Sequence, residues 1–103
     1  MHSLRFLPEV ADDALAAERW YESRAPGLGQ EFLRSFYACA HAIAAQPTLF
    51  SAVHRDFRRR LLRRFPYAVY YRADADSVKV FGLFHCARDP KRVSEWLGER
   101  REE

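Results

Sequence analysis

Lysine is almost absent from this chain. Of the 17 basic side chains among its 103 residues, 15 are arginine, and Lys79 and Lys91 are the exceptions. Lysine would serve bulk solubility equally well, whereas a planar guanidinium makes bidentate contacts with phosphate or carboxylate and stacks on aromatic rings. The bias points either to an anionic partner or to a genome whose codons favour arginine everywhere, and composition does not separate the two. Cysteine is scarce as well: Cys39 and Cys86 are the whole complement, with no mark of a secreted disulfide scaffold, so two reduced thiols are expected. The four glycines, Gly27, Gly29, Gly82 and Gly98, make no phosphate-binding loop. His2, His41, His54 and His85 are scattered, and no Cys-x-x-Cys or His-x-x-x-His spacing offers a metal site. Neither a cofactor nor a metal is therefore expected. No apolar run approaches the roughly 18 residues that span a bilayer, and the first residues lack the apolar stretch of a signal peptide. A cytoplasmic protein with no membrane partner is the expectation.

What is present suffices for one core. A chain of this length buries roughly 60 to 70% of its unfolded surface, and 49% hydrophobic content supplies a single domain over residues 1–103. The net charge of +3 is unevenly spread. Residues 1–50 carry four basic and six acidic side chains, and residues 51–103 carry thirteen and eight. Between residues 55 and 92 the balance is eleven basic to four acidic, a local net of +7.

Residues 3–7 read as a short strand stopped by Pro8. Pro8 suits a first helical turn, and Glu9, Asp12 and Asp13 complement the helix dipole. Val10, Ala14, Ala17 and Tyr21 then recur at helical spacing, with Ala11 and Leu15 widening the stripe, until Ala25-Pro26-Gly27 ends it. The short link predicts an antiparallel partner helix whose face is Leu28, Phe32, Phe36, Cys39, Ala40 and Ile43, ending near Gln46-Pro47. Its small residues Ala38, Ala40, Ala42, Ala44 and Ala45 would permit close approach to the first helix. A loop follows over residues 48–52. Farther on, Tyr67 to Arg72 alternates, residues 73–77 form a polar turn, and Val78 to Phe84 is rich in β-branched and aromatic residues, which predicts a strand hairpin. Both faces of these strands are apolar, as for central strands covered on both sides or for a face kept for a partner. Asp89-Pro90 reads as an N-cap and first turn of a short helix with Val93, Trp96 and Leu97 inward, and residues 99–103 are expected to fray.

Residues 55–64 hold six arginines and one acid. As a helix they place Phe57, Leu61 and Phe65 on one stripe; as a strand they put Arg59, Leu61 and Arg63 opposite Arg58, Arg60, Leu62 and Arg64. Periodicity slightly favours the helix, while Pro66 and the need of the following hairpin for a neighbour favour the strand. The cluster either contacts phosphate or carboxylate groups or forms a solvated basic edge that discourages aggregation. His85, three residues before Arg88, is a candidate general acid or base for metal-free RNA cleavage with arginines as the electrostatic element, or else a histidine that orients the strand end.

The run Arg59-Arg60-Leu61-Leu62-Arg63-Arg64-Phe65-Pro66-Tyr67-Ala68-Val69-Tyr70-Tyr71-Arg72, followed by His85-Cys86-Ala87-Arg88-Asp89-Pro90, resembles the RelE/ParE superfamily of toxins from bacterial toxin-antitoxin modules. Trp20-Tyr21-Glu22, Gly27-Leu28-Gly29 and Phe32 look like the same family. The resemblance covers nearly the whole chain. It implies an α+β fold: an N-terminal strand, an antiparallel two-helix hairpin packed on a small, mainly antiparallel sheet, and a short C-terminal helix, with the arginine segment a strand. It also implies a plasmid-stabilisation type of module in which a cognate antitoxin wraps the toxin as a hetero-oligomer. RelE-like members cut messenger RNA on the ribosome; ParE-like members inhibit DNA gyrase. The nuclease branch usually has an arginine after the aromatic that opens the central strand, and often a late tyrosine. Here Ala68 follows Tyr67, and no tyrosine follows Tyr71. The long helical hairpin and Arg88-Asp89-Pro90 look more like the ParE side. The resemblance therefore implies a gyrase-inhibiting toxin, with Arg58, Arg60, Arg63, Arg64 and Arg88 meeting target or nucleic acid. A ribosome-dependent endoribonuclease using His85 and Arg88 is the alternative, and a non-toxic relative that keeps only antitoxin binding is a third reading.

Overall fold

Pro8 ends the first strand and starts the first helix, and from that point the hydrophobic pattern sets the rest of the architecture. The structure, a computed structural model, describes residues 2–100. Strand β1 (Ser3–Phe6) leads into helix α1 (Pro8–Arg24), which turns back as α2 (Leu28–Ala45). Four strands follow, β2 (Ala52–His54), β3 (Phe57–Leu61), β4 (Tyr67–Ala73) and β5 (Ser77–His85), and α3 (Pro90–Glu99) closes the fold. The five strands form one sheet in the order β1-β5-β4-β3-β2. β1 runs parallel to β5 and every other pairing is antiparallel, so the sheet is mixed and the fold is α+β as expected.

Val10, Ala14, Ala17 and Tyr21 of α1 and Phe32, Phe36, Cys39, Ala40 and Ile43 of α2 are all buried. The hairpin lies on the sheet face that carries Tyr67, with Phe32 and Tyr67 rings 5.0 Å apart. The turn between the helices is closed from within: both Glu22 carboxylate oxygens accept from the Gly27 N–H at 3.0 and 3.1 Å, and one also accepts from the Gly29 N–H at 3.0 Å. Gly27 sits at φ 87°, a left-handed geometry that favours glycine. The helices meet closely at Gly29, where a Cβ would lie 2.7 Å from the Glu18 carbonyl oxygen. On the opposite sheet face Phe84 packs on Trp96 of α3 at 5.1 Å. The central strands are thus covered on both sides, which explains the unbroken apolar run of Val80 to Phe84. Asp89 caps α3 by accepting from the Lys91 N–H at 3.0 Å, as its place before Pro90 predicted.

The arginine segment is a strand, as the resemblance implies, but only as far as Leu61: it forms β3, and Arg63 and Arg64 lie in the turn to β4, with Arg64 at φ 70°. Four expectations need correction. Residue 52 belongs to a strand rather than a loop, because β2 pairs through Ala52 with Arg58; three residues are too few to show an alternation. Ala11 and Leu15 do not widen the buried stripe of α1 but face solvent, since the sheet accepts only one narrow row. Ala38 and Ala45 are exposed and do not mediate the contact between helices. Glu99 is helical, and Arg100 is held by an ion pair to Asp13 rather than frayed; the rest of that predicted tail, residues 101–103, lies outside the described residues.

Candidate functional site

The expected site residues separate into two grooves and one internal contact. The first groove, of about 820 Å³, lies along the outer edge of β5 beyond the end of β1, between α1 and α3. Strand β1 stops at Phe6, so among the described residues no strand neighbours β5 residues 81–85 on that side. Asp13 and Arg100 close part of that edge. The Leu83 N–H donates to Asp13 Oδ2 at 3.2 Å, and the Phe81 carbonyl accepts from Arg100 Nη1 at 3.0 Å. The other end of the groove carries Trp20, Tyr21, Tyr67, His85, Arg88 and Trp96.

Trp20 is 51% exposed and lies under the Arg24 guanidinium at 4.4 Å. Arg88 and Arg92 both stand over Trp96, at 5.3 and 5.8 Å. Burial pushes the Tyr67 phenol above its ordinary value, with the Arg88 charge opposing that shift. Burial also raises Tyr21, with Tyr67 adding to it. Both phenols are therefore neutral around pH 7. The His85 ring lies 5.1 Å from that of Tyr67, and its Nδ1 accepts from the Ala87 N–H at 2.9 Å. The tautomer that fits this bond carries its proton on Nε2, with Nδ1 as the acceptor. Together with the bond from the Arg88 N–H to the His85 carbonyl at 3.0 Å, this is the geometry of a histidine that shapes the strand end. The groove can hold a flat or anionic group through rings and guanidiniums.

The second groove, of about 810 Å³, runs between α2 and β3. It gathers Arg60, Arg63 and Arg64 from the predicted cluster and adds Arg34 of α2, which sequence reasoning missed. Arg34 carries no signal of its own until the helix places it beside β3. Ala38, Ala42 and Leu61 supply apolar lining. Arg64 pairs with Glu31 at 2.9 Å on an exposed surface, and the Ser35 hydroxyl donates to the Arg63 carbonyl at 2.8 Å. Arg58 belongs to neither groove. Its guanidinium donates to the Phe50 carbonyl, while Arg60 stands 4.9 Å over the Phe50 ring, so these two side chains anchor the connection from α2 to β2. Among the described residues no cluster of histidine, cysteine, aspartate and glutamate could hold a metal.

The first groove thus joins His85 to Arg88 as the spacing suggested, but with Tyr67 and two tryptophans that were read only as structural or family-like residues. The arginines expected to act together are divided: Arg60, Arg63 and Arg64 line one groove, Arg88 the other, and Arg58 neither.

No protein-family model matches the sequence, and no curated protein does. Among solved structures, one chain of a structure described as the chromosomal ParDE TA system from P. aeruginosa is similar, with a TM-score of 0.73 and 15% sequence identity. The likeness covers 82% of this chain and 96% of that one. The two chains share a fold.

Proposed function

We propose that this chain is the toxin of a type II toxin-antitoxin module, acting in the cytoplasm by binding DNA gyrase and neutralised by a cognate antitoxin in a hetero-oligomer. The observation that carries the reading is the fold shared with nearly a whole chain of a ParDE system. The concentration of arginine on the strand half of the molecule supports it, because a protein that acts by holding a charged macromolecule needs a guanidinium surface rather than a catalytic constellation. Arg34, Arg60, Arg63 and Arg64 offer one such surface, and Arg88 with its aromatic neighbours a second. Induced expression is expected to arrest growth and to accumulate cleaved gyrase-DNA complexes. Unchanged gyrase activity at saturating protein would remove the gyrase target.

A second reading, ribosome-dependent cleavage of messenger RNA, is favoured by one observation: Arg88, Tyr67 and His85 line the same groove. It requires transcripts cut at codon positions after induction; arrest with intact messages would exclude it. Growth that continues undisturbed after induction would leave only antitoxin binding.

A further inference from the structure

We infer that the groove along β5 is a site for a free mononucleotide, whose base hydrogen-bonds to the main chain of Leu83 and His85 and whose phosphate meets Arg88. The strand edge supplies the recognition. Tyr67 lies opposite His85, but its carbonyl accepts from the Leu62 N–H on the β3 side at 2.9 Å. Tyr67 and His85 therefore form a pair without mutual hydrogen bonds. The main-chain groups of His85, and of Leu83 two residues before it, point away from β4 into the groove. Two of these four groups are taken: the Leu83 N–H donates to Asp13, and the His85 carbonyl accepts from the Arg88 N–H. Among the described residues nothing is seen on the other two, the Leu83 carbonyl and the His85 N–H. Leu83 is only 2% exposed, and a main-chain oxygen without a partner at so buried a residue is costly.

That pair is an acceptor and a donor side by side on one edge. An added peptide strand would need a longer row, and Asp13 and Arg100 already occupy its continuation at Leu83 and Phe81. A single planar ring with a donor next to an acceptor suffices, and a nucleobase carries such a pair on its Watson–Crick edge, as adenine does with its 6-amine beside N1. Rings flank the edge. Trp20 comes from α1 on the face that carries Tyr67, Trp96 from α3 on the face that carries Phe84, and both line the groove. A base entering edge-on lays its faces against these indoles, and a purine covers more of them than a pyrimidine. Charge places the phosphate. Arg88 is exposed beside His85 and stands over Trp96, ready for bidentate contact. Toward the other end Asp12 lines the groove as an exposed carboxylate, which repels a continuing phosphodiester chain and favours a single nucleotide. A groove of about 820 Å³ is of the size that small ligands occupy.

The site goes beyond the toxin reading and does not depend on it. AMP is titrated into the full chain and followed by the fluorescence of its two tryptophans. Saturable quenching is expected, with none from ribose 5-phosphate, which lacks the base. N6,N6-dimethyl-AMP, which has lost the donor for the Leu83 carbonyl, should bind about tenfold more weakly or worse. Trp20→Leu should weaken AMP by about tenfold, with Trp96 left as the reporter. Arg88→Gln should weaken AMP to a similar extent, about tenfold, and leave adenosine unchanged. Trp20 is half exposed, so its replacement spares the core, and melting curves accompany both variants. The amide resonance of His85 should move on saturation. Absence of saturable binding would overturn the proposal, as would equal affinity for AMP and its dimethyl form, or binding that ignores Trp20→Leu. A single-stranded oligothymidine that binds more tightly than AMP and is lost on Trp20→Leu would assign the groove to a nucleic-acid strand and overturn it too. Growth on induction is scored separately: cells that keep growing remove the toxin reading and leave the titration result standing.

Discussion

Arg100 holds Asp13 through two hydrogen bonds, of 2.6 and 3.0 Å, joining the end of α3 to the middle of α1 across the open edge of β5. The two side chains are only 16% and 12% exposed, and both also satisfy main-chain groups of β5. Hydrogen bonding to Asp13 raises the Arg100 guanidinium above its ordinary value, so it stays charged at any working pH.

Removing either partner strands the other charge together with a backbone group. Arg100→Ala and Asp13→Ala are each expected to cost about 3 kcal/mol, in the range for breaking a largely buried pair. The double variant should cost less than the two single losses combined, because each single change leaves a charge unpaired. Chemical denaturation of the four proteins measures this; strict additivity would show that the pair is not coupled.

The two helical glycines test the packing of the hairpin and of α3 in opposite directions. At Gly29 a Cβ would meet the Glu18 carbonyl oxygen at 2.7 Å, and backbone cannot give way as a side-chain tip can. Gly29→Ala should therefore destabilise the chain by about 1 to 3 kcal/mol through overpacking. Gly98, within α3, has open space where a Cβ would stand, and Gly98→Ala should stabilise by roughly 0.5 to 1 kcal/mol from helix propensity alone. Opposite shifts in melting temperature are the expected result.

Much of this architecture is written in the sequence, and the exceptions share a cause. The helical stripes, the β4-β5 hairpin and the Asp89 cap follow from periodicity and capping chemistry, which act within a few residues. The arginine segment was ambiguous because Phe57 and Leu61 fit a helical stripe as readily as one side of a strand, and only pairing with β4 decides it. Arg34, Asp13 and Arg100 gave no local signal. Arg34 becomes part of a groove when α2 is laid beside β3, and Asp13 meets Arg100 only when α1 and α3 flank the same strand edge. His85 and Arg88 were legible as neighbours through their spacing; the acceptor role of the His85 Nδ1 depends on the turn after β5.

The two thiols should behave differently. Cys86 is exposed, whereas Cys39 is buried against β3, and burial pushes its thiol up to about 11, with Arg60 opposing the shift. Because only thiolate is nucleophilic, one equivalent of thiol reagent should react quickly at pH 8 and the second only on unfolding. Its raised value also carries a pH dependence. Unfolded cysteine ionises near its ordinary value of 9.0, so the preference for neutral Cys39 is fully present below that pH and is lost as pH rises through about 11. Tyr67 and Tyr71, both raised by burial, act in the same direction. Stability should therefore fall on the alkaline side of pH 9, as measured by denaturation midpoints; a flat profile there would contradict the burial of all three groups.

The sharpest distinction between binding and catalysis lies at His85. Its Nδ1 accepts from the Ala87 N–H, as suits a histidine that orients the strand end, so removing the ring should not abolish an activity that works by holding a target. His85→Gln is expected to keep growth arrest on induction. Arg63→Glu and Arg88→Glu report separately on the groove beside β3 and the groove along β5, since these side chains line different clefts. If the target is held by the aromatic groove, Arg88→Glu relieves the arrest while Arg63→Glu leaves it. The reverse pattern would exchange the two surfaces. Complete loss of toxicity in His85→Gln, with message cleavage lost in parallel, would favour the nuclease reading.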